Sequence, residues 1–476
     1  MRDAPAVTRR RFLQQLGGGL ALAASSGCGA LLGARSPARP EALLIVLSDT
    51  HSAYDRYPQI LSLVDRVRAR HPGVPLAVLF NGDLFERGNV VALRGGGRVD
   101  LALLRALARR APVVFNLGNH EGALFDLAET VGLLRESGAT VVSNAADRRT
   151  GRLLASPAAV LELGRHRLAV AGVATNDLST YRAGVRETLR IPDGPEYAPA
   201  SLPPLLGGAP LRVVLSHEGT VDDRRILPAV PPGSLVVGGH DHLRYAHRRG
   251  GTLYLHPGAW GESVALVEAR AGPSGAEWAH RELPTAREGE GDADLAALVR
   301  AEEAAHLTAG ERVVVGRTRR ALPPHEAALL AAAALRDAAG ADAALIANTT
   351  FGAGLPAGPV SRHRFDAFVR FDGGVHCAPV NGTTLGAILR RANQFGDTPF
   401  EARTGEYLVA TPVRSLDPRR RYTVATVDWV RMNAERYLGT ALDFTPVPGL
   451  GLKAVVAARL AGERPSIPTR IPRSMG

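Results

Sequence analysis

The stretch ALLIVLSDTH, residues 42–51, joins an uninterrupted apolar run to a polar cluster that begins where the run ends. Six consecutive apolar residues rich in Leu, Ile and Val predict a strand over Ala42–Leu47 that is buried on both faces. Later apolar runs end in similar polar clusters: Asn81-Gly82-Asp83, Gly118-Asn119-His120-Glu121, Ser216-His217-Glu218 and Gly239-His240-Asp241-His242. The repetition indicates that strand ends carry the chemistry of this protein.

Helical patterns separate these strands. Apolar residues recur at helical spacing over Ile60–Arg70, Leu101–Arg110 and Asp126–Ser137. Strands that alternate with helices predict a layered α/β domain. Ligands of such folds collect at the carboxyl ends of the strands, where the polar clusters lie.

A polar stretch over Thr285–Asp292 marks a break in the pattern. An Ala- and Glu-rich helix over Asp294–Ala305 follows it. Beyond that helix we predict a strand at Arg312–Val315, a helix at His325–Ala339 and a strand at Leu345–Ala347. The predicted division is therefore a leader (1–28), a first α/β domain (41–285), a linker helix (286–307) and a smaller α/β domain (308–470).

The amino-acid composition excludes some classes of protein. The 476 residues carry a formal charge of +11, but Lys453 is the only lysine and the arginines are scattered along the chain. Scattered charge does not form the basic patch of a nucleic-acid-binding protein, so we expect no nucleic-acid partner. Cys28 lies in the leader, which leaves Cys377 as a buried residue without an internal disulfide partner. We expect a monomer.

The first 28 residues have the pattern of an export signal. Thr-Arg-Arg-Arg-Phe-Leu at 8–13 precedes an apolar stretch over Leu16–Ala24, which is typical of twin-arginine export. That stretch is shorter than the roughly 20 residues that span a bilayer. Ser25-Ser26-Gly27-Cys28 also fits a lipoprotein cleavage site, although its first serine stands where leucine is usual. Both interpretations predict a periplasmic or cell-envelope location, with a lipid anchor at Cys28 left open.

Carboxylates, an amide and imidazoles together form a mixed oxygen and nitrogen ligand set. Such a set suits Mn, Zn, Fe or Mg, which the sequence does not distinguish. Asp83 stands alone at its strand end and is the natural bridge between two divalent ions. Two ions about 3.5–4 Å apart generate a hydroxide and stabilise in-line displacement at phosphorus. In the five clusters, the side chains of these types include Asp49, His51, Asp83, Asn119, His120, Glu121, His217, Glu218, His240, Asp241 and His242.

In this order the clusters resemble the calcineurin-like metallophosphoesterase superfamily, and within it the bifunctional metallophosphatase/5′-nucleotidase family. The resemblance implies a four-layer α/β/β/α domain in which Asp83 bridges the two ions. It assigns Asp49, His51 and His242 to one ion and Asn119, His217 and His240 to the other. It also implies that His120 is not a ligand but stabilises the transferring phosphoryl group or protonates the leaving oxygen.

One residue near His120 departs from the family pattern. Family members often carry an acidic residue three places after this histidine to orient it, whereas this chain has Ala123. Glu121 and Asp126 are the two acidic residues that we consider as replacements.

The second half of the chain resembles the substrate-binding domain of 5′-nucleotidases. The motifs that carry the resemblance are Asn348-Thr349-Thr350-Phe351-Gly352, Phe371-Asp372-Gly373-Gly374 and Asn381-Gly382-Thr383-Thr384. It implies that Asn348 and Phe371 bind substrate, while an arginine that the family carries near Gly352 and a late Gly-Gly-Asp segment are missing here. Residues with looser claims to a binding role are Trp429, Tyr437, Arg362, Arg364 and Arg370.

We therefore expect an enzyme that hydrolyses phosphate esters outside the cytoplasm, with 5′-nucleotides or related small phosphorylated metabolites as substrates. The missing pocket residues leave a second hypothesis open, in which the same metal centre acts on cyclic diesters or on sulfur esters, as in thiosulfohydrolases. A third hypothesis is a non-catalytic binding lipoprotein.

Overall fold

A computed structural model describes residues 39–272, 275–286 and 291–463. The predicted leader with Cys28, part of the predicted linker (287–290) and residues 464–470 of the predicted second domain lie outside the described residues. Within these ranges no helix has the length and apolar character that crossing a membrane requires.

In the described part of the N-terminal domain (42–284) there are fourteen strands, of which twelve form two six-stranded sheets. They are β1 Ala42–Leu47, β2 Leu76–Asn81, β3 Val113–Asn116, β4 Ala139–Val142, β5 Ala146–Asp147, β6 Ala158–Leu163, β7 His166–Val173, β8 Leu189–Arg190, β9 Leu211–Ser216, β10 Leu235–Gly238, β11 Arg244–Arg249, β12 Thr252–Pro257, β13 Ser263–Gly272 and β14 Gly275–Pro284. The first sheet has the order β14-β13-β1-β2-β3-β4 and the second β11-β12-β10-β9-β7-β6. Strands β1–β4 are mutually parallel, as are β7, β9, β10 and β12.

Helices connect these strands: α1 Tyr57–Arg70, α2 Val90–Arg94, α3 Arg98–Ala108, α4 Leu127–Glu136, α5 Ala183–Arg186, α6 Gly194–Leu206 and α7 Thr220–Ile226. The three helices predicted from periodicity correspond to α1, α3 and α4. Asp126 begins α4 as its N-cap, because its carboxylate accepts a hydrogen bond from the backbone N–H of Ala128.

Alternate side chains of a strand pack into different cores, and this arrangement forms the layers of the domain. Leu44 and Val46 of β1 pack in a core shared by the two sheets, whereas Leu43, Ile45 and Leu47 pack in a core that includes residues of α1, α3 and α4. Residues of α6 and α7 cover the outer face of the second sheet. Because successive side chains point to opposite faces of a strand, a continuous apolar run serves both cores. The four-layer α/β/β/α arrangement is thus confirmed.

The C-terminal domain (314–461) is smaller and contains a five-stranded sheet with the order β19-β16-β20-β18-β21, and a two-stranded sheet of β15 and β17. Its strands are β15 Val314–Thr318, β16 Ala343–Ala347, β17 Gly358–Ser361, β18 Gly374–Asn381, β19 Leu408–Ala410, β20 Arg421–Val427 and β21 Thr445–Gly451. Two helices precede these bounds, α8 Ala293–His306 and α9 Ala309–Arg312. The helices within them are α10 Pro324–Ala339, α11 Arg362–Phe368, α12 Gly382–Arg390, α13 Asp428–Met432, α14 Ala434–Leu438 and α15 Leu452–Ala461. The division of the chain into domains at 285 and 308 remains our proposal.

Helices cover both faces of the five-stranded sheet. Ile346 of β16 packs with residues of α10, α11 and α15, and Leu345 packs with residues of α12, α13 and α14. Cys377 of β18 is buried in the first of these cores. The strand predicted at Arg312–Val315 is wrong in its first half, because the capping box of Thr308 and Glu311 starts a helical turn that ends at Arg312.

Candidate metal centre

The polar clusters meet at one edge of the N-terminal domain. Asp49 and His51 follow β1, Asp83 follows β2 and Asn119 follows β3, all in the first sheet. The second sheet contributes His217 after β9, and His240 and His242 after β10. These five strands present their carboxyl ends to the same place, so the structure brings all seven predicted ligand side chains together.

The backbone of these loops is strained. Eight non-glycine residues in the described ranges have a positive φ, and seven of them lie at this edge: Asp49, His51, Ser52, Asp83, His240, His242 and Trp260. A side chain with a β-carbon is disfavoured in this left-handed region, and such residues cluster at functional sites. Packing of the two sheets holds the loops in conformations that aim their side chains at a common centre.

Glycines allow the loops to approach closely. A β-carbon on Gly82 would lie 2.6 Å from the backbone nitrogen of Gly118 and 2.7 Å from Nδ1 of His217. Gly82 also has a φ of +76°, which favours glycine. The glycine before Asp83 therefore serves the assembly of the site and is more than an ordinary turn residue.

One group of ligand atoms is formed by Asp49, His51 and His242. The two Nε2 atoms of His51 and His242 lie 2.8 Å apart, and His242 Nε2 lies 3.8 Å from Asp49 Oδ1. His51 Nε2 is also 3.7 Å from Asp83 Oδ2. Three side chains thus converge on one side of the Asp83 carboxylate.

A second group is formed by Asp83, His217 and His240. His217 Nε2 lies 3.2 Å from Asp83 Oδ2, and His240 Nδ1 lies 3.0 Å from Asn119 Oδ1. The other oxygen of Asp83 accepts a hydrogen bond of 2.8 Å from the backbone N–H of His120, which fixes the carboxylate. Asp83 Oδ2 therefore faces both groups.

The donor set fits divalent ions. His217 Nε2 is buried without a well-oriented hydrogen-bond partner, and His51 Nδ1 is likewise buried without one. Buried polar atoms normally have partners, so an unpaired imidazole nitrogen aimed at carboxylates calls for one. The facing Nε2 atoms of His51 and His242 also suit two ligands of a single ion.

The electrostatics of the cluster point the same way. Burial raises the pKa of Asp49 to about 7. Burial alone would lower the pKa of His217, but the carboxylates of Asp83 and Asp49 raise it to about 10. Burial, together with the charges of His120 and His242, holds the pKa of His51 well below its usual range. So many buried ionisable groups in contact leave charge conflicts that bound cations would relieve.

Two asparagines support the ligands, and the sequence reasoning missed both. The Asn81 carbonyl oxygen lies 2.7 Å from His217 Nδ1, and its side-chain amide donates to the carbonyls of Ser216 and Val237. Asn116 donates to Asn81 Oδ1 at 2.9 Å. This network ties the second sheet to the first behind the ligands, which orients them. Asn at the ends of two adjacent apolar strands was the available signal.

His120 lies at the rim of the cluster, with 23% of its side chain exposed. Neither acidic residue considered as its replacement partner takes that role. Glu121 accepts hydrogen bonds from the backbone N–H groups of Asp83, Leu84 and Gly118, and Asp126 caps α4. The carboxylate of Glu86 lies 3.8 Å from His120 Nδ1 instead.

An arginine of the C-terminal domain reaches this site. Arg370 pairs with Glu86 at 2.6 Å, and its guanidinium lies 5.2 Å from the ring centres of both Trp260 and Phe371. Trp260 in turn stacks on His51, with ring centroids 4.6 Å apart. The sequence did not set Arg370 apart from Arg362 and Arg364, because arginine is frequent throughout the chain.

The predicted substrate residues occupy different environments. Asn348 lines a cavity beside His242 and Trp260, and its side chain bonds to the backbone of Asp241 and Tyr407. Phe371 is 57% exposed and lies over Arg370.

The weaker candidates for substrate binding also have different contacts. The Trp429 indole donates to the buried Tyr437 hydroxyl, whose partner is Glu406, so Tyr437 is a packing residue. Arg364 pairs with Asp55 and Glu303, and Arg362 lies over Phe365 of its own helix.

Comparison with known proteins agrees with this geometry. Residues 42–244 match the family model of calcineurin-like phosphoesterases. An uncharacterized metallophosphoesterase, YunD of Bacillus subtilis, is 25% identical over 227 residues, which are 46% of this chain and 48% of the relative. The chain thus spans about half the length of that curated relative.

Solved structures with a similar fold cover nearly the whole chain. A 5′-nucleotidase precursor from Thermus thermophilus is 21% identical over 88% of this chain and 96% of its own, with a TM-score of 0.56. The sulfate thiohydrolase SoxB of Thermus thermophilus is 17% identical over 90% of this chain and 95% of its own, with a TM-score of 0.59.

Residues 42–244 are thus a calcineurin-like phosphoesterase domain, and all seven candidate ligands lie within it. Over nearly its whole length, C-terminal domain included, the chain shares the fold of these solved structures.

Proposed function

We propose that the protein hydrolyses 5′-nucleotides or related phosphorylated metabolites at a dinuclear metal centre. The observation that carries the proposal is the convergence of two ligand groups on the two sides of one fixed carboxylate, Asp83. A site for a single ion needs no such shared oxygen, whereas two-metal sites that act on phosphate esters do.

Each group of ligands would hold one divalent ion. The first ion would be held by Asp49, His51 and His242. The second ion would be held by Asn119, His217 and His240, and Asp83 would contact both ions. Bound ions supply the positive charge that polarises phosphoryl oxygens and activates water. The buried carboxylates and the strained loops preorganise the ligands, so that little rearrangement accompanies binding.

His120 would provide acid catalysis or charge stabilisation. Its ring lies edge-on to His51, with centroids 4.7 Å apart, yet its side chain is 23% exposed, more than the 12% of His242 and the 0% of His51. That position lets it touch both a phosphoryl group at the ligands and the leaving oxygen. Water would restore its proton after release of the alcohol.

The leaving group would lie in the cavity beside His242. Aromatic side chains of Trp260, Phe351, Phe395 and Tyr407 line it, with Asn348 as a polar contact. Flat, partly apolar groups such as nucleosides stack well on such surfaces. Phe371, exposed at the surface over Arg370, would add a further stacking face.

We also propose that the enzyme acts outside the cytoplasm as a monomer. The twin-arginine pattern at residues 8–13 supports export, and Cys28 would carry a lipid if the cleavage site is used. A fusion of residues 1–38 to a reporter enzyme tests export, because replacing Arg9, Arg10 and Arg11 with lysines would then hold the reporter in the cytoplasm.

The decisive experiment measures metal content and phosphate release together. The chain from residue 29 is loaded with Mn²⁺ or Zn²⁺ and offered 5′-nucleotides, nucleotide sugars, cyclic nucleotides, an aryl diester and thiosulfate esters. Two bound ions and turnover of a 5′-nucleotide are expected. Asp83→Asn should lose both, while Asp443→Asn, on an exposed loop, should lose neither.

The alternatives give different results in the same panel. Turnover of cyclic diesters or sulfur esters alone would retain the metal centre and reject the nucleotide assignment. Failure to bind divalent ions would reject the enzyme and favour a binding lipoprotein.

A further inference from the structure

We propose that Glu86 is the carboxylate that positions His120 and that Arg370 of the C-terminal domain holds Glu86 in place. The proposal rests on the proposed phosphoesterase function. It assigns a role to two residues that no resemblance indicated, and it accounts for the alanine at position 123.

Glu86 lies between three charged or polar partners. Its Oε2 atom is 2.6 Å from Arg370, 3.5 Å from His51 Nδ1 and 3.8 Å from His120 Nδ1. Its Oε1 atom accepts a hydrogen bond of 2.7 Å from the backbone N–H of Gly88. The carboxylate is buried, so both oxygens are held and little water competes for them.

The usual position for an acidic partner cannot serve here, because Ala123 has no polar side chain. The two nearby acids are committed elsewhere: Glu121 binds three backbone N–H groups, and Asp126 caps α4. Glu86 reaches the same histidine from the loop after β2, three residues beyond Asp83. A different loop thus supplies the carboxylate that faces His120.

Arg370 holds the Oε2 atom of Glu86. Only 7% of its side chain is exposed, and it lies between the rings of Trp260 and Phe371. Because Arg370 follows α11 of the C-terminal domain and Glu86 follows β2 of the N-terminal domain, the pair joins the two domains at the reaction centre. A substrate-sized opening of the domains would separate this pair.

The chemical role follows from the two nitrogens of an imidazole. A carboxylate beside Nδ1 favours a proton there and orients the ring, which leaves Nε2 to face the substrate. When the P–O bond to the leaving group breaks, Nε2–H would give its proton to the departing oxygen, and water would return one. Glu86 acts through His120 and is a positioning residue.

Leaving-group dependence separates this role from a structural one. p-Nitrophenyl phosphate needs little protonation of its leaving oxygen, whereas phenyl phosphate needs much more. We expect Glu86→Gln to lower kcat for phenyl phosphate about 10–100-fold, the usual effect of an outer partner, and that for p-nitrophenyl phosphate far less. KM should change little for either ester.

A double-mutant cycle tests the path through His120. If Glu86 acts through that ring, Glu86→Gln should cost nothing further in a His120→Asn background, since residues of one unit are not additive. Arg370→Gln should change the leaving-group ratio in the same direction as Glu86→Gln. Arg364→Gln is the matched control, because Arg364 pairs across the domains with Asp55 but not with Glu86, and it should leave the ratio unchanged.

The main rival is that Glu86 orients the ligand His51, whose Nδ1 is 3.5 Å away. Metal content by mass spectrometry distinguishes the two. A loss of bound metal in Glu86→Gln, or an equal loss of kcat for both esters, would overturn the proposal, as would full additivity with His120→Asn.

A binding readout keeps the test independent of turnover. Calorimetry measures the affinity of the metal-loaded protein for orthovanadate. The wild type, Glu86→Gln, His120→Asn and the double variant are compared. Non-additive losses of affinity support the positioning role, and additive losses overturn it. A wild-type protein that binds vanadate but hydrolyses no ester would refute the proposed function while this cycle still decides the role of Glu86.

Discussion

The two sides of the candidate site are built differently. On the N-terminal side, seven candidate ligand side chains project from five strand ends and five of them are buried, with Asn81 and Asn116 bonded behind them. On the C-terminal side, the candidate contacts are aromatic rings around Asn348 and one exposed phenylalanine, Phe371. The first is a rigid polar cluster, and the second is a mostly apolar surface.

The difference separates chemistry from recognition. Metal ligands must stay within narrow distances, so strained loops between two packed sheets hold them. A surface for a leaving group tolerates replacement of individual side chains, because stacking needs area more than a fixed atom. We therefore expect substitutions on the N-terminal side to affect metal binding and kcat, and substitutions on the C-terminal side to affect KM.

The largest effect should come from the candidate ligand His217. His217→Ala removes a fully buried imidazole that faces Asp83 and Asp49. We expect loss of bound metal and a fall in kcat beyond the roughly 10–100-fold typical of outer partners. Inductively coupled plasma mass spectrometry and phosphate release measure both. Retention of two ions with normal kcat would remove His217 from the ligand set.

A smaller effect should follow from the support behind the ligands. Asn81→Leu removes the amide that donates to the carbonyls of Ser216 and Val237, so these two buried hydrogen bonds are lost. We expect metal affinity to fall about 10–100-fold and the free energy of unfolding to fall by roughly 1–3 kcal/mol. Competition with a chelator and urea unfolding measure the two quantities. An unchanged affinity would show that the asparagine network stabilises the fold without orienting the ligands.

Asp223 of α7, on the outer side of the second sheet, is a buried carboxyl that makes the stability of the N-terminal domain depend on pH. Burial raises the pKa of Asp223 to about 8, although its hydrogen bonds from Ser216 and Tyr254 oppose the rise. In the unfolded chain the pKa of an aspartate is about 4. Its contribution to stability is therefore complete below about pH 4 and is lost as the pH rises toward 8.

Asp223→Asn tests this contribution, because an amide does not ionise. The wild-type free energy of unfolding, relative to that of the variant, should fall by on the order of a few kcal/mol between pH 5 and 8. Urea unfolding at matched metal concentration across this range is the measurement. A constant difference between the two proteins would contradict the raised pKa.

The smallest effect is expected on the recognition side. Phe395, which is 37% exposed, stacks on His325 at the cavity. Phe395→Ala should raise KM for a nucleoside monophosphate about 2–10-fold, the range of one aromatic contact, and leave kcat and metal content unchanged. Trp429→Ala, outside this cavity, is the control. A large fall in kcat would show that the cavity also shapes the reaction centre.

Much of the fold was predictable from strand composition. The run at 42–47 became β1 with the predicted bounds, and the helices at α1, α3, α4 and α10 differ from prediction by a few residues at their ends. Local patterns suffice there because each apolar face is periodic. They failed at Arg312, where the capping box of Thr308 and Glu311 outweighed the strand propensity of the valines that follow.

The candidate site also has residues that local sequence patterns reveal and residues that only the folded structure reveals. The five polar clusters could be found from the amino-acid sequence, because each follows a buried strand and carries distinctive residue types. The family resemblance then selected the seven candidate ligands among them. Glu86 and Trp260 emerged only from the folded chain, since nothing in their local sequence sets them apart. Arg370 was one of several candidate arginines, and its contact with Glu86 could not be read from the sequence. Their partners lie on other strands or in the other domain, as in the pair of Glu86 and Arg370, which are 284 residues apart. Only the packing of two sheets and a second domain brings such groups within contact distance.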